Sequence, residues 1–416
     1  MEPIRVLHFA DLHVGMENYG KLDAHTGISS RIRDFLDRLD EVVAHALEHD
    51  ADLIIFAGDA FKTRDPDPTQ QREFALRMKK LADHAPVFML VGNHDIPGIA
   101  ARATSVDIFR TLAVNNITVG RTIGSQVMQT KRGPVFLGWV PFPVRNRLLS
   151  QEEYRGASVE ELDRAVERMI SGWLEDLARA AEQHDMPRIL VGHFSVGGAT
   201  FGSERTVMLG RDLVIQKSSL ADAAWDYVAL GHIHKHQNLT PKSALAADPR
   251  LPPIVYSGSL ERIDFGEEVE DKGFCWLNLV RGATTWQFVQ VKARPFRTIN
   301  VDARAEADPT AAVLAAIATR RIDDAIVRIA VQLREGQEAS LHRREIEQAL
   351  AAANAIAAIS VDVERETRLI GLGASPEALT PLQWLDRYLS ARNKPPERLK
   401  RLLEAAEGLL EGGRAA

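Results

Sequence analysis

Five short motifs, each directly behind an apolar run, constrain this chain more than any other feature: Asp11-Leu12-His13, Gly58-Asp59, Gly92-Asn93-His94-Asp95, Gly192-His193 and Gly231-His232-Ile233-His234. The runs in front of them, residues 4–10, 53–57, 87–91, 189–191 and 228–230, are short and stop at polar or Gly-containing loops. Runs of this kind read as buried strands. Open α/β sheets bind their ligands beyond the strand ends, so a chain built this way collects its carboxylate, imidazole and amide groups at one edge.

The donor types then say what is collected. Carboxylate, imidazole and amide oxygen suit intermediate divalent metals such as manganese or iron, whereas thiolates would suit zinc and an all-oxygen set magnesium. Asp11, His13, Asp59, Asn93, His193, His232 and His234 are enough for two ions. On a strand, alternation turns Asp11 and His13 to one side, and His232 and His234 repeat the two-residue step, so each pair is expected to chelate from one edge. The glycines before Asp59, Asn93, His193 and His232 allow unusual backbone angles and close approach. Two metals about 3.5–4 Å apart clamp a phosphate and activate water, which makes phosphoester hydrolysis the expected chemistry.

Around these loops the chain alternates helix and strand. Ile32, Phe35, Leu36, Leu39, Val42, Val43, Ala46 and Leu47 recur at helical spacing. From Tyr227 onward, residues 228–230, 254–257, 274–280 and 285–291 read as successive strands of a second sheet face. Lys292-Ala293-Arg294-Pro295 marks a linker. Beyond it, residues 296–301, 325–332 and 358–363 read as strands between Ala-rich helices, a small βαβαβ unit. Two tail helices follow, one capped by Thr380 with Pro381 at its first position, the other opening at Pro395-Pro396. Leu382, Trp384, Leu385, Tyr388 and Leu389, then Leu399, Leu402, Leu403, Ala406, Leu409 and Leu410, give both helices apolar stripes.

A length of 416 residues implies two or three folding units. No apolar run reaches the roughly 20 residues that span a bilayer, so no membrane association is expected. The N-terminus enters the first strand at once, leaving no room for a secretion signal. Cys275 is the sole cysteine, which excludes an internal disulfide and a thiolate cage and fits a reducing cytoplasm. The net charge of -6 decides little, because phosphate affinity follows local patches and bound cations. Arg64, Arg72, Arg77, Lys79 and Lys80, with Arg145 and Arg147, could track a DNA backbone, but solvation of a helix face is the favoured reading. The remaining histidines, His8, His25, His45, His49, His84, His184, His236 and His342, read as surface or core residues.

Over residues 4–240 the motif set resembles the calcineurin-like metallophosphoesterase superfamily. The resemblance implies an α/β fold, a two-sheet sandwich flanked by helices. It also implies that Asp11, His13 and His234 hold one metal, that Asn93, His193 and His232 hold the other, and that Asp59 bridges, with a Mn²⁺ pair as the usual cofactor. His94 would contact the scissile phosphate and protonate the leaving oxygen, with Asp95 orienting its ring. The stretch Tyr256-Ser257-Gly258-Ser259-Leu260-Glu261-Arg262-Ile263-Asp264-Phe265-Gly266-Glu267, followed by Lys272-Gly273-Phe274, is similar to SbcD-type DNA exonucleases.

That narrower resemblance implies a nuclease domain over residues 1–292, a small α/β capping domain over 293–368, and C-terminal helices over 375–412 that bind an SbcC-type coiled-coil ATPase. It further implies a homodimer acting on double-strand ends, hairpins and single strands, cytoplasmic and nucleoid-associated when bound to DNA. Lys62 departs from relatives that carry histidine there. The competing expectations are a small-substrate phosphomonoesterase or phosphodiesterase of the same superfamily, and a non-catalytic scaffold that only binds DNA ends.

Overall fold

The computed structural model describes residues 2–97, 103–144, 157–202, 213–364, 380–391 and 396–412. Two six-stranded sheets form its larger part. The first orders the strands Thr285–Gln290, Gly273–Leu279, Ile4–Phe9, Leu53–Phe56, Val87–Leu90 and Ile117–Gly120. The second orders Gln237–Asn238, Ile254–Tyr256, Tyr227–Gly231, Arg188–His193, Gly133–Val140 and Gly124–Thr130.

Strand pleating explains the layering. Successive side chains point to opposite faces, so a strand covered on both sides must be apolar throughout. Ile4 and Val6 of Ile4–Phe9 and Ala10 just behind it enter the layer between the sheets, together with Leu53, Ile55, Leu137, Ile189, Val191 and Ala229. Leu7 and Phe9 point the other way, onto Ile32, Leu36 and Leu39 of helix Ser30–Glu48 and Phe74 and Met78 of helix Pro68–His84. The outer face of the second sheet, with Leu190, Val228 and Leu230, is covered by Val166, Ile170 and Leu174 of helix Val159–Glu182. These helices begin where their caps dictate: Asp67 accepts from the amides of Thr69 and Gln70 ahead of Pro68, and Ser158 and Glu161 form a reciprocal capping box.

Ile4–Phe9, Leu53–Phe56 and Val87–Leu90 run parallel, as do Arg188–His193 and Tyr227–Gly231. Their carboxyl ends therefore lie side by side, and this brings the five motifs together.

After residue 292 a three-stranded parallel sheet orders Phe296–Asp302, Ile326–Arg334 and Ala355–Glu364. It packs Ile299, Val301, Val327, Ile329 and Leu333 on Val313, Ile317 and Ile346 of its helices. Its near end meets the larger part at an aromatic joint, with Phe265 4.9 Å and Tyr19 5.8 Å from Phe296 between ring centroids. Beside the joint, Arg294 pairs with Asp34 and Asp324, while Arg31 pairs with Asp34 at 2.6 Å.

The tail helices Pro381–Ala391 and Pro396–Gly412 pack on each other, and Thr380 caps the first by accepting from the Gln383 amide at 3.3 Å. The ends of the expected units at 365–368 and 375–379, and Arg145 and Arg147, lie outside the described residues.

Candidate metal centre

Most motif residues arrive from loops directly behind the strands, while Gly192-His193 closes Arg188–His193 and Gly231 closes Tyr227–Gly231, and the backbone at several of them is bent. Asp11, His13, Asp59 and His232 have φ of +52°, +50°, +62° and +95°. Left-handed backbone costs a residue with a Cβ of order 1–3 kcal/mol and persists only where the surroundings hold it. The Asp11 amide donates to Gly58 O (3.0 Å), those of Leu12 and His13 to Asp59 O (2.9 and 3.2 Å), and both Asp11 carboxylate oxygens accept from the His232 amide at 3.0 Å. Strand alternation is therefore not what aims Asp11 and His13; positive φ does it. Contact is close enough to exclude side chains: a Cβ at Gly92 would lie 2.2 Å from Asp59 Oδ1, and one at Gly231 2.3 Å from Ala57 O.

The gathered atoms form two neighbouring groups. In one, Asp11, His13 and His234 bring a ligand atom each within 4.8 Å of one another, and His13 Nε2 lies 3.0 Å from His234 Nε2. In the other, Asn93 Oδ1 lies 3.0 Å from His193 Nε2 and 2.9 Å from His232 Nδ1. Asp59 Oδ2 reaches both, at 3.3 Å from His193 Nε2 and 3.8 Å from His13 Nε2. His232 and His234 thus stand in different groups. His8, His25, His45, His49, His84, His184, His236 and His342 stand outside these clusters; His8 is buried beside Tyr227, and His236 stacks on Phe288.

The protonation chemistry shows that these atoms suit a cation. His193 donates from Nδ1 to Ala57 O at 2.6 Å, so its Nε2 carries a lone pair toward Asn93 Oδ1 and Asp59 Oδ2. Three acceptors facing one another repel unless a proton or a metal lies among them. Without metal a proton does this: burial alone would lower the His193 pKa, but Asp59 and Asp11 push it up to about 9. Burial likewise opposes ionisation of Asp59, yet His193, His94 and His13 hold it well below the ordinary carboxylate range. Burial and then neighbouring His234 push His13 far down, leaving its imidazole neutral. Carboxylate, imidazole and amide oxygen in a buried cluster fit divalent ions of the manganese and iron kind.

His94 stands at the rim. Its ring is 4.7 Å from that of His13, its amide donates to Asp59 Oδ1 at 2.8 Å, and its Nδ1 donates to Lys62 O at 2.8 Å. Nε2 is then the nitrogen available to exchange a proton with a substrate. The ring is oriented by the Lys62 carbonyl, not by Asp95 as expected. The Asp95 carboxylate instead accepts from the amides of Asp59 (3.0 Å), Ala60 (3.1 Å) and Gly92 (3.0 Å) and from Ser105 Oγ (2.9 Å). It ties the second motif loop to the third, and burial together with the Asp59 charge raises its pKa to about 6. Lys62 contributes through its backbone, which no reading of side-chain identity could foresee. Glu267 was also missed: its carboxylate accepts from His234 Nδ1 at 2.8 Å, although the residue lies in the stretch that carried the narrower resemblance.

The calcineurin-like phosphoesterase family model matches residues 4–236. The chain belongs to this family. Among curated proteins, this phosphoesterase is 28% identical over 298 residues to the SbcD subunit of the nuclease SbcCD from Bacillus subtilis (strain 168), covering 69% of each chain. It is 29% identical over 244 residues to the corresponding SbcCD nuclease subunit of Escherichia coli (strain K12), covering 56% of this chain and 57% of that one. Among solved structures, TT1561 of Thermus thermophilus aligns with a TM-score of 0.37 and 15% identity over 70% of this phosphoesterase and 100% of that chain. A dimetal phosphatase from Danio rerio gives a TM-score of 0.40 and 12% identity over 70% and 97%.

The cations flanking the second motif do not form a free basic track. Arg72 pairs with Glu73, Arg77 with Glu73 and Asp40, and Lys79 with Asp83, while Arg64 and Lys80 are exposed. No helix among the described residues is long and apolar enough to cross a membrane.

Proposed function

We propose that this phosphoesterase is a DNA nuclease that hydrolyses phosphodiester bonds with two divalent metals, a Mn²⁺ pair, as the nuclease subunit of an SbcC/SbcD-type complex. The observation that carries the reading is the convergence of seven metal-suited donors on one buried cluster with His94 at its rim, in a chain similar to SbcD subunits. Asp11, His13 and His234 would hold one ion, Asn93, His193 and His232 the other, with Asp59 between them. Ions bound there supply Lewis-acid stabilisation of phosphate charge and a water acidic enough to attack at neutral pH. His94, its Nδ1 committed to Lys62 O, keeps Nε2 for the phosphate and delivers a proton to the departing oxygen. Asp95 keeps Asp59 and Asn93 in register.

The substrates on this reading are double-strand ends, hairpins and single strands. Residues 1–292 would form the nuclease domain, 293–368 the capping domain, and the helices within 375–412 the seat of the coiled-coil ATPase. The protein would work as a homodimer in the cytoplasm, nucleoid-associated when on DNA. Similarity of the 256–274 stretch to SbcD-type exonucleases favours DNA over a small phosphoester.

The test is cleavage of a labelled linear duplex by purified protein with Mn²⁺, Mg²⁺ or chelator, beside His94→Ala and a small phosphoester. Manganese-dependent shortening that falls about 10²–10⁴-fold in the variant is expected for a lost general acid. Turnover of the small ester alone would identify a phosphatase, and DNA binding without any turnover a scaffold.

A further inference from the structure

Glu267 belongs to none of the five motifs, yet its carboxylate reaches the cluster. It is fully buried. Oε1 accepts from His234 Nδ1 at 2.8 Å, and Oε2 accepts from Lys272 Nζ at 2.9 Å and from the Ile263 amide at 3.0 Å. Lys272, also buried, donates to Glu270 Oε2 at 2.8 Å and to the backbone carbonyl of His234 at 3.2 Å. Ring and main chain of one candidate ligand are thus held by a single charged pair, and every donor and acceptor in it has a partner.

A buried ion pair is weak evidence for stability, since desolvation offsets most of the attraction. Its placement points to another role. A neutral imidazole can carry its proton on either nitrogen, and only one tautomer presents a lone pair to a cation. With Glu267 taking the Nδ1 proton, His234 must offer the lone pair of Nε2, and Nε2 is the atom 3.0 Å from His13 Nε2 inside the cluster. Carboxylates behind metal-bound imidazoles act in this way generally. Lys272 aims the carboxylate, and Glu270 holds Lys272 from its other side.

We propose that Glu267 is a positioning residue, fixing the tautomer and ring orientation of His234 so that the Asp11–His13–His234 position takes a divalent ion. The turn that carries it, Phe265–Glu267, is itself anchored, because Glu268 accepts from the Thr298 amide at 2.9 Å and from Thr298 Oγ1 at 2.6 Å in the three-stranded sheet. The inference rests on the metal-pair reading above.

The test titrates Mn²⁺ into the metal-free full chain by calorimetry and records the electron paramagnetic resonance spectrum of the loaded protein for wild type, Glu267→Ala, Glu267→Gln and Glu270→Gln, with thermal unfolding of each. Wild type is expected to bind two ions with a spin-coupled spectrum. Glu267→Ala should weaken one of the two ions 10–100-fold, leave the other, and turn the spectrum mononuclear. Glu267→Gln, whose amide oxygen still accepts from Nδ1, should recover part of the loss. Glu270→Gln, which removes the charge facing Lys272 but leaves Glu267 on His234, should lose less than Glu267→Ala. Wild-type affinity for both ions in Glu267→Ala and Glu267→Gln overturns the inference, as does an equal loss in Glu270→Gln. A wild-type chain that takes up fewer than two ions overturns the metal-pair reading itself, and this inference with it.

Discussion

Replacing Asp95 separates two roles for a residue beside the candidate general acid. Its carboxylate is fully buried and accepts from three backbone amides, Asp59, Ala60 and Gly92, and from the Ser105 hydroxyl. In Asp95→Asn one oxygen remains, and the new NH₂ group faces at least one amide that cannot accept from it. A buried donor without an acceptor costs about 1–3 kcal/mol, so Asp95→Asn should lower the unfolding free energy of the metal-free protein by about that much. Asp95→Ala orphans all three amides and should lower it by roughly 3–6 kcal/mol, with entering water limiting the loss. Part of the loss is offset because removing the charge relieves repulsion with Asp59, the same repulsion that helps raise the Asp95 pKa to about 6. Urea unfolding in chelator at pH 7.5, where the wild-type carboxyl is ionised, reads these values. Manganese affinity should fall with them, since Asp59 and Asn93 ride on the tied loops. An Asp95→Asn protein with unchanged unfolding free energy but turnover as low as His94→Ala would refute the argument and return Asp95 to orienting the His94 ring.

Three further outcomes are expected. Burial pushes the His8 pKa from 6.5 down to about 3, so between these values the unfolded chain binds a proton that the folded one does not. The stability His8 contributes is complete above pH 6.5 and falls as pH drops, by roughly 2 kcal/mol between pH 7.5 and 5; urea unfolding of the metal-free His8→Leu protein should lack that slope. Phe296→Ala at the buried aromatic joint should cost about 3–5 kcal/mol and speed proteolysis between residue 292 and the three-stranded sheet. Trp384→Asp combined with Leu399→Asp should abolish co-purification with the coiled-coil ATPase while leaving manganese-dependent cleavage intact, and retained binding would move the partner site elsewhere.

Much of the site was legible because it is local. Asp11, His13, Asp59, Asn93, His94, His193, His232 and His234 each follow an apolar run, and parallel pairing of those runs is enough to gather them. Strand identity was equally legible, because burial on both faces leaves continuous apolar runs such as Leu53–Phe56 and Val87–Leu90.

The local geometry of the site was not legible. A two-residue spacing suggested strand alternation as what turns Asp11 with His13 and His232 with His234, but positive φ at Asp11, His13 and His232 sets their directions instead. The resemblance implied that Asp95 orients His94, but its carboxylate accepts from three amides, and a carbonyl 32 positions away takes the His94 N–H instead. Glu267 reaches His234 across 33 positions. Donor chemistry and hydrophobic period are properties of short segments, so residue order alone reveals side chains suited to a divalent ion and strand ends that gather them at one edge. Which nitrogen holds each proton and what keeps these side chains still is readable only from the folded chain, because both depend on hydrogen-bond partners that meet through loop geometry and packing.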